Sequence, residues 1–218
     1  MTPEFWHQRW QRGEIGWHSN EINRHLAEHW PRLGAPPGSR VFVPLCGKSL
    51  DLLWLAAQGH RVLGVEISPL AIDDFVVENG LDATRSQQPP FERVGADEIE
   101  LLVGDFFDLT PALVPGIGAV YDRASLIALP PDMRPRYAAR LAELVPAGCP
   151  SLLITLDYDQ AQMNGPPFAV SAPEVQTLFG DAFDIEALAA VDVLAEQPRF
   201  RERGVDRMTE QVFRLRRR

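Results

Sequence analysis

Several features that define other protein classes are scarce in this sequence. Cysteine occurs twice, at Cys46 and Cys149, too few for a disulfide framework, and the expected compartment is reducing cytosol. Basic charge is in deficit: 21 Lys and Arg stand against 30 Asp and Glu, for a net charge of −9. A polyanion binder carries a basic surface, so nucleic acid is not an expected partner. The basic run Arg214 to Arg218 reads as a solvated tail. No apolar run approaches the ~20 residues of a membrane span, and the chain opens polar and aromatic, without a signal-peptide core. No internal repeat and no linker divides the 218 residues, which suits one α/β domain over 1–218.

Glycine is sparse where a nucleotide fold would concentrate it. The stretch Val41 to Glu66 reads strand, tight turn, helix, strand, a βαβ unit. Val41 to Val43 is a short apolar run. Leu50, Leu53, Trp54 and Ala57 recur at helical spacing, and Arg61 to Val65 form a second apolar run closed by Glu66. In an open parallel sheet, ligands bind beyond the carboxyl ends of the strands, and an acid about 20 residues after the turn can hold a ribose. A pyrophosphate requires G-x-G-x-x-G for close backbone approach. This turn has Gly47 alone, preceded by Pro44, Leu45 and Cys46. That is a poor cradle for NAD and an adequate one for S-adenosylmethionine (SAM), whose methionine part carries no phosphate.

The rest of the chain continues the alternation. Thr2 and Pro3 open a helix carrying Phe5, Trp6 and Trp10, and Asn20 is the expected cap of a second helix running to about Trp30. His25 and His29 stand i, i+4 on that helix, a spacing that can bind metal. No carboxylate or cysteine pattern completes a site, Glu28 lies beside the pair rather than on its face, and the expectation is an exposed helix face with no metal. Pro31 and Pro36-Pro37-Gly38 end this region. Residues 82–95 are polar with Pro89-Pro90 and read as a loop. Further strands are expected at Ile99–Val103, Ala119–Tyr121 and Ser151–Leu156, with a final hairpin from Phe183–Val193 and Glu210–Leu215. Asp105 and Phe106 follow the third strand, where an acid and an aromatic ring could meet an adenine; the alternative is a helix cap followed by core phenylalanines. Asp122-Arg123 ends the fourth strand, poised over a pocket mouth or forming a local ion pair.

Ordered pieces along nearly the whole chain carry a resemblance. They are W-x2-G-x2-G-W-H at Trp10 to His18, V-F-V-P-L-C-G-K-S at Val41 to Ser49, and G-H-x-V-L-G-V-E-I-S at Gly59 to Ser68. D-R-A at Asp122 to Ala124, Y-D at Tyr158 and G-P-P-F at Gly165 to Phe168 extend it. With these motifs the sequence resembles the thiopurine S-methyltransferase family in its bacterial form. The resemblance implies a Rossmann-like class I methyltransferase fold: a seven-stranded, mostly parallel sheet with an antiparallel C-terminal strand and helices on both faces. It implies methyl transfer from SAM to aromatic or heterocyclic thiols, with selenium or tellurium compounds as other acceptors, by a cytoplasmic monomer.

The same resemblance implies roles for individual residues. Trp10 would cover the cofactor, making residues 1–38 a helical lid. Leu45 would touch the cofactor from the turn, Glu66 would hold the ribose, and Arg123 would reach both cofactor and acceptor. Phe106 is a weaker cofactor candidate. Trp17, Pro166 and Pro167 match positions near the substrate; animal relatives carry phenylalanine at Trp17. A thiolate needs no strong base, so positioning and water exclusion would dominate, with Arg123 favouring the anion. His18 and Asp157 are possible proton acceptors. Cys46 reads as an inert turn residue. Two other readings stay open: a NAD-dependent oxidoreductase and a non-catalytic SAM-binding module. A nucleic-acid methyltransferase fits less well, because an Asn/Asp-Pro-Pro-aromatic turn is absent after the fourth strand.

Overall fold

A computed structural model describes residues 1–218. In chain order the elements are α1 (Pro3–Gln11), α2 (Arg24–His29), β1 (Arg40–Val43), α3 (Asp51–Ala57), β2 (Arg61–Glu66) and α4 (Pro69–Glu78). There follow β3 (Thr84–Gln88), β4 (Phe91–Ala96), β5 (Ile99–Val103), β6 (Ile117–Arg123), α5 (Arg134–Leu144) and β7 (Pro150–Asp157). The chain ends with α6 (Ala172–Phe179), β8 (Phe183–Asp192), α7 (Pro198–Glu202) and β9 (Thr209–Arg217).

All strands join one sheet in the order β3-β4-β5-β2-β1-β6-β7-β9-β8. Strands β5, β2, β1, β6 and β7 run parallel, and β9 is antiparallel to both neighbours. The order reverses between β1 and β6, the switch point where an open α/β sheet leaves a crevice. Alternate strand residues feed two cores. Phe42, Leu63, Leu102, Val120 and Leu153 meet Tyr137, Leu141 and Phe179 of α5 and α6 on one face. Val41, Val62, Leu101, Ala119 and Leu152 meet Leu26, Leu52, Leu55 and Phe75 of α2, α3 and α4 on the other. Burial on both faces explains why these strands read as continuous apolar runs rather than alternating ones.

The architecture is the expected one, with nine strands instead of seven. The extra pair is the segment expected to be a loop: β3 and β4 form an antiparallel hairpin that pairs onto β5. Strand β3 reads Thr-Arg-Ser-Gln-Gln and is exposed along most of its length, so hydrophobic alternation gives no signal there. An edge strand of polar and charged side chains resists pairing with another chain. Two helix details also differ. Asn23, not Asn20, caps α2, its side chain accepting from the amides of His25 and Leu26. The buried side chains of α3 are Asp51, Leu52 and Leu55, so the face expected from Leu50, Leu53, Trp54 and Ala57 is rotated outward.

Candidate active site

The turn after β1 places the first parts of the site. Gly64 on β2 has no side chain because the turn lies against it: a Cβ there would stand 2.7 Å from the Cys46 sulfur. Cys46 is buried, and burial with the nearby Glu66 charge pushes its thiol well above the usual value, so it is a packing residue, as expected. Leu45 has φ +48° and Ala124, just past β6, has φ +65°. Both line the same cavity, and side chains in this left-handed region cost about 1–3 kcal/mol each, a cost that clusters at functional sites.

Glu66 ends β2 with its carboxylate buried at the cavity floor. The Gly47 amide donates to Oε2 and the Ser68 amide to Oε1, both at 2.9 Å. A carboxylate offers about four acceptor positions, so capacity remains for a ligand. Burial raises the carboxyl pKa, and the amides of Ser68 and Gly47 act against that rise. The cavity above Glu66 has a volume of about 450 Å³, within the ~300–1,000 Å³ of small-molecule pockets.

Helix α1 and the loop after it close this cavity. The Trp10 ring lies over Gly47; a Cβ on that glycine would be 3.3 Å from it. Trp17 packs edge-to-face on Trp6 and Trp10, at centroid distances of 5.5 and 6.0 Å. The Arg9 guanidinium sits over Phe5 and Trp17. His7 Nε2 pairs with the Ile67 carbonyl at 2.9 Å, fastening α1 beside the end of β2. On the opposite wall, Tyr158 donates its hydroxyl to the Pro167 carbonyl at 2.6 Å, holding Pro166 and Pro167 against the cavity.

The structure therefore brings Trp10, Trp17, Leu45, Glu66, Arg123, Pro166 and Pro167 around one cavity, together with His18. Burial and the Lys48 charge lower the His18 pKa, which keeps its ring neutral near pH 7. Three further candidates do not present an open face to the cavity. Phe106 borders the cavity, but its ring is 1% exposed and is stacked on Phe42 and tilted over Tyr137. Asp105 caps the turn by accepting from the Phe107 amide; this is a cap followed by core phenylalanines, not an open stacking face. Asp157 lies outside the cavity lining and accepts from Gln211 at 3.2 Å.

The Asp122-Arg123 pair is not an ion pair, because successive strand residues point to opposite faces. Arg123 faces the cavity. Asp122 turns into the core, where Tyr137 donates to its Oδ2 at 2.6 Å and Oδ1 has no partner. Burial pushes the Asp122 carboxyl up to about 6, against the pull of the Tyr137 hydroxyl. Sequence reading missed Arg199, Phe200 and Arg203, which reach the cavity from α7 in the long β8–β9 connection. Phe200 is also a buried core residue, so its presence in the sequence does not by itself point to the cavity.

Comparisons with known proteins agree with this geometry. The family model described as Thiopurine S-methyltransferase (TPMT) matches residues 1–218. A Pseudomonas fluorescens protein named Thiopurine S-methyltransferase is 54% identical over 216 residues, covering 99% of each chain. One of the same name from Azotobacter vinelandii is 51% identical over 218 residues, covering all of both chains. Among solved structures, a Burkholderia thailandensis 1,6-didemethyltoxoflavin-N1-methyltransferase with bound S-adenosylhomocysteine superposes with a TM-score of 0.63 at 16% identity, over 97% of this chain and 86% of that one. At that identity the likeness speaks to the fold alone. The full-length match at about half identity settles kinship: this chain belongs to the thiopurine S-methyltransferase family.

Proposed function

We propose that this protein transfers the methyl group of SAM to the sulfur of small aromatic or heterocyclic thiols, thiopurines among them, with selenium and tellurium compounds as further acceptors. The observation that carries the reading is Glu66: a buried carboxylate at a strand tip, fixed by two amides, with acceptor positions left over under the Trp10 ring. Two adjacent ribose hydroxyls fit those positions. When bound, SAM supplies a sulfonium methyl group that an anionic sulfur can take by in-line displacement.

The chain's own residues then have distinct tasks. Leu45 and Trp10 flank the cofactor and exclude water, with residues 1–38 acting as a cap on a single 1–218 domain. Trp17, Pro166 and Pro167 form the acceptor's walls. Arg123 at the end of β6, with Arg199 lining the same cavity, favours the thiolate over the thiol and so raises the fraction of reactive nucleophile. His18, neutral near pH 7, can accept the thiol proton. The Phe106 ring has no open face to stack on adenine, and its contribution is to support Phe42 beneath the turn.

The protein works as a cytoplasmic monomer on a small molecule, with no nucleic-acid or membrane partner. The net charge of −9 disfavours a polyanionic partner, and no helix is long and apolar enough to cross a membrane. A NAD-dependent oxidoreductase is disfavoured by the single-glycine turn at Gly47. The test is a radiolabelled-methyl assay against an aromatic thiol, selenite and tellurite, with calorimetric titration of SAM and NAD alongside. Methylated thiol from the wild type, none from Glu66→Ala, and binding of SAM but not NAD are expected. A protein that binds SAM and methylates none of these acceptors would be a binding module.

A further inference from the structure

Helix α2 carries a cluster that methyl transfer does not use. One ligating atom from each of His25, Glu28 and His29 lies within 4.8 Å of the other two. Glu28 therefore stands with the histidines, contrary to the expectation that it lies off their face, and His25 is 2% exposed rather than on an open surface. His25 Nε2 is 3.0 Å from a Glu210 carboxylate oxygen on β9, which leaves Nδ1 as its free nitrogen. His25 Nδ1 and His29 Nε2 are both buried and have no hydrogen-bond partner. Buried polar atoms without partners are uncommon, and these two sit on stacked imidazoles one helical turn apart, with ring centroids 5.9 Å from each other. Glu28 Oε2 is 4.0 Å from that same His29 nitrogen.

We propose that His25, Glu28 and His29, none of which lines the methyl-transfer cavity, form a binding site for a divalent cation of the zinc class, with Glu210 bordering both. Two imidazoles and one carboxylate make a three-ligand set with a fourth position for water. The Glu210 carboxylate accepts from the far side of the His25 ring, fixing its tautomer so that Nδ1 presents a lone pair, an arrangement common behind metal-bound histidines. The backbone is already set: the Asn23 side chain accepts from the His25 and Leu26 amides, and the Asn23 amide donates to Asp51. Zinc at its usual bond lengths wants ligand atoms about 3.3 Å apart. The exposed Glu28 side chain and the partly exposed His29 ring can close that gap by rotation. Arg24 opposes a cation here, but its guanidinium is engaged by Glu196 and Glu210. Imidazole donors favour zinc over magnesium or calcium, which take oxygen ligands.

The experiment is calorimetric titration of the chelator-treated full chain with Zn²⁺, with Mg²⁺ as control, and absorption spectra of the Co²⁺ form. One Zn²⁺ per chain is expected, together with a tetrahedral cobalt spectrum lacking the thiolate charge-transfer band that Cys46 or Cys149 would give. His29→Ala should weaken binding at least 100-fold and Glu28→Gln about tenfold. Both side chains reach solvent, so these variants keep the fold, and far-UV circular dichroism checks that they do. No zinc binding by the wild type, a thiolate band, or unchanged affinity in His29→Ala would each overturn the site.

Discussion

The floor and the roof of the cavity are built by different means. The floor is sheet: Glu66, Gly47 and Ser68 are fixed by parallel strands and by backbone amides 2.9 Å from carboxylate oxygens. The roof is α1, the loop after it and α7, held by edge-to-face indoles and by arginines over aromatic rings. Backbone hydrogen bonds to a buried carboxylate tolerate little displacement, whereas aromatic edges can slide with small loss. The difference separates two kinds of wall: a floor that holds its carboxylate rigidly, and a roof whose aromatic rings can adjust to what lies beneath them.

The largest expected break in that contrast is at Glu66. Glu66→Ala should weaken SAM binding by about 100-fold or more, since two charge-assisted hydrogen bonds of ~1.5–3 kcal/mol each are lost. It also strips the Gly47 and Ser68 amides of their acceptor, lowering stability by about 2 kcal/mol. Calorimetry and chemical denaturation read the two effects. Unchanged SAM affinity would mean that the floor does not grip the donor.

Asp122 tests the floor from below. Its folded-state value of about 6 exceeds the ordinary carboxyl value near 4. Between those pH values the folded chain holds a proton that the unfolded chain has released. Stability from this group is therefore present below about pH 4, falls as pH rises to about 6, and is flat above. The full change is about 3 kcal/mol. Asp122→Asn keeps an acceptor for Tyr137 and cannot titrate. Denaturation of both proteins from pH 4 to 8 should show the wild type losing stability relative to the variant across that window. A constant difference would place the ordinary aspartate pKa in the folded state.

Arg123 stands where floor meets roof. Arg123→Ala should lower kcat at saturating SAM by about 10–100-fold, more for a weakly acidic thiol than for one already ionised at the assay pH. Initial rates with two aromatic thiols of different acidity measure this. Equal losses for both would remove the electrostatic role, and no loss would remove Arg123 from the site.

How much was readable in the sequence follows the same division. The floor was legible because a parallel strand buried on both faces spells itself as an apolar run, and the acid ending the second run falls where the fold needs one. Glu66 and the Asp122-Arg123 strand end could be placed from local pattern, though not the opposite facing of the last two, whereas Leu45 entered through resemblance. The roof was only partly legible. Trp10 and Trp17 entered through resemblance, since periodicity alone gives an aromatic helix that could simply pack on the sheet. Arg199 and Phe200 arrive from a segment more than 180 residues beyond Trp17, and no local signal encodes that meeting. The β3–β4 hairpin was missed for the opposite reason, an edge strand whose polar side chains spell a loop.

The smallest effect is expected at Trp17, and it is the sharpest test of an adaptable roof. Trp17 touches Trp6 and Trp10 by their edges and is only partly buried, whereas Trp10 lies directly over Gly47. Removing one aromatic partner costs about 0.5–1.5 kcal/mol beyond area burial. Trp17→Ala should therefore raise KM for a bulky heterocyclic thiol by up to about tenfold, leave KM for a small thiol nearly unchanged, and shift the SAM Kd by less than about threefold. Steady-state kinetics with the two acceptors, paired with calorimetry for SAM, separate these quantities. If SAM binding falls as far as acceptor binding, Trp17 belongs with the donor, and the line between rigid floor and adaptable roof must be drawn elsewhere.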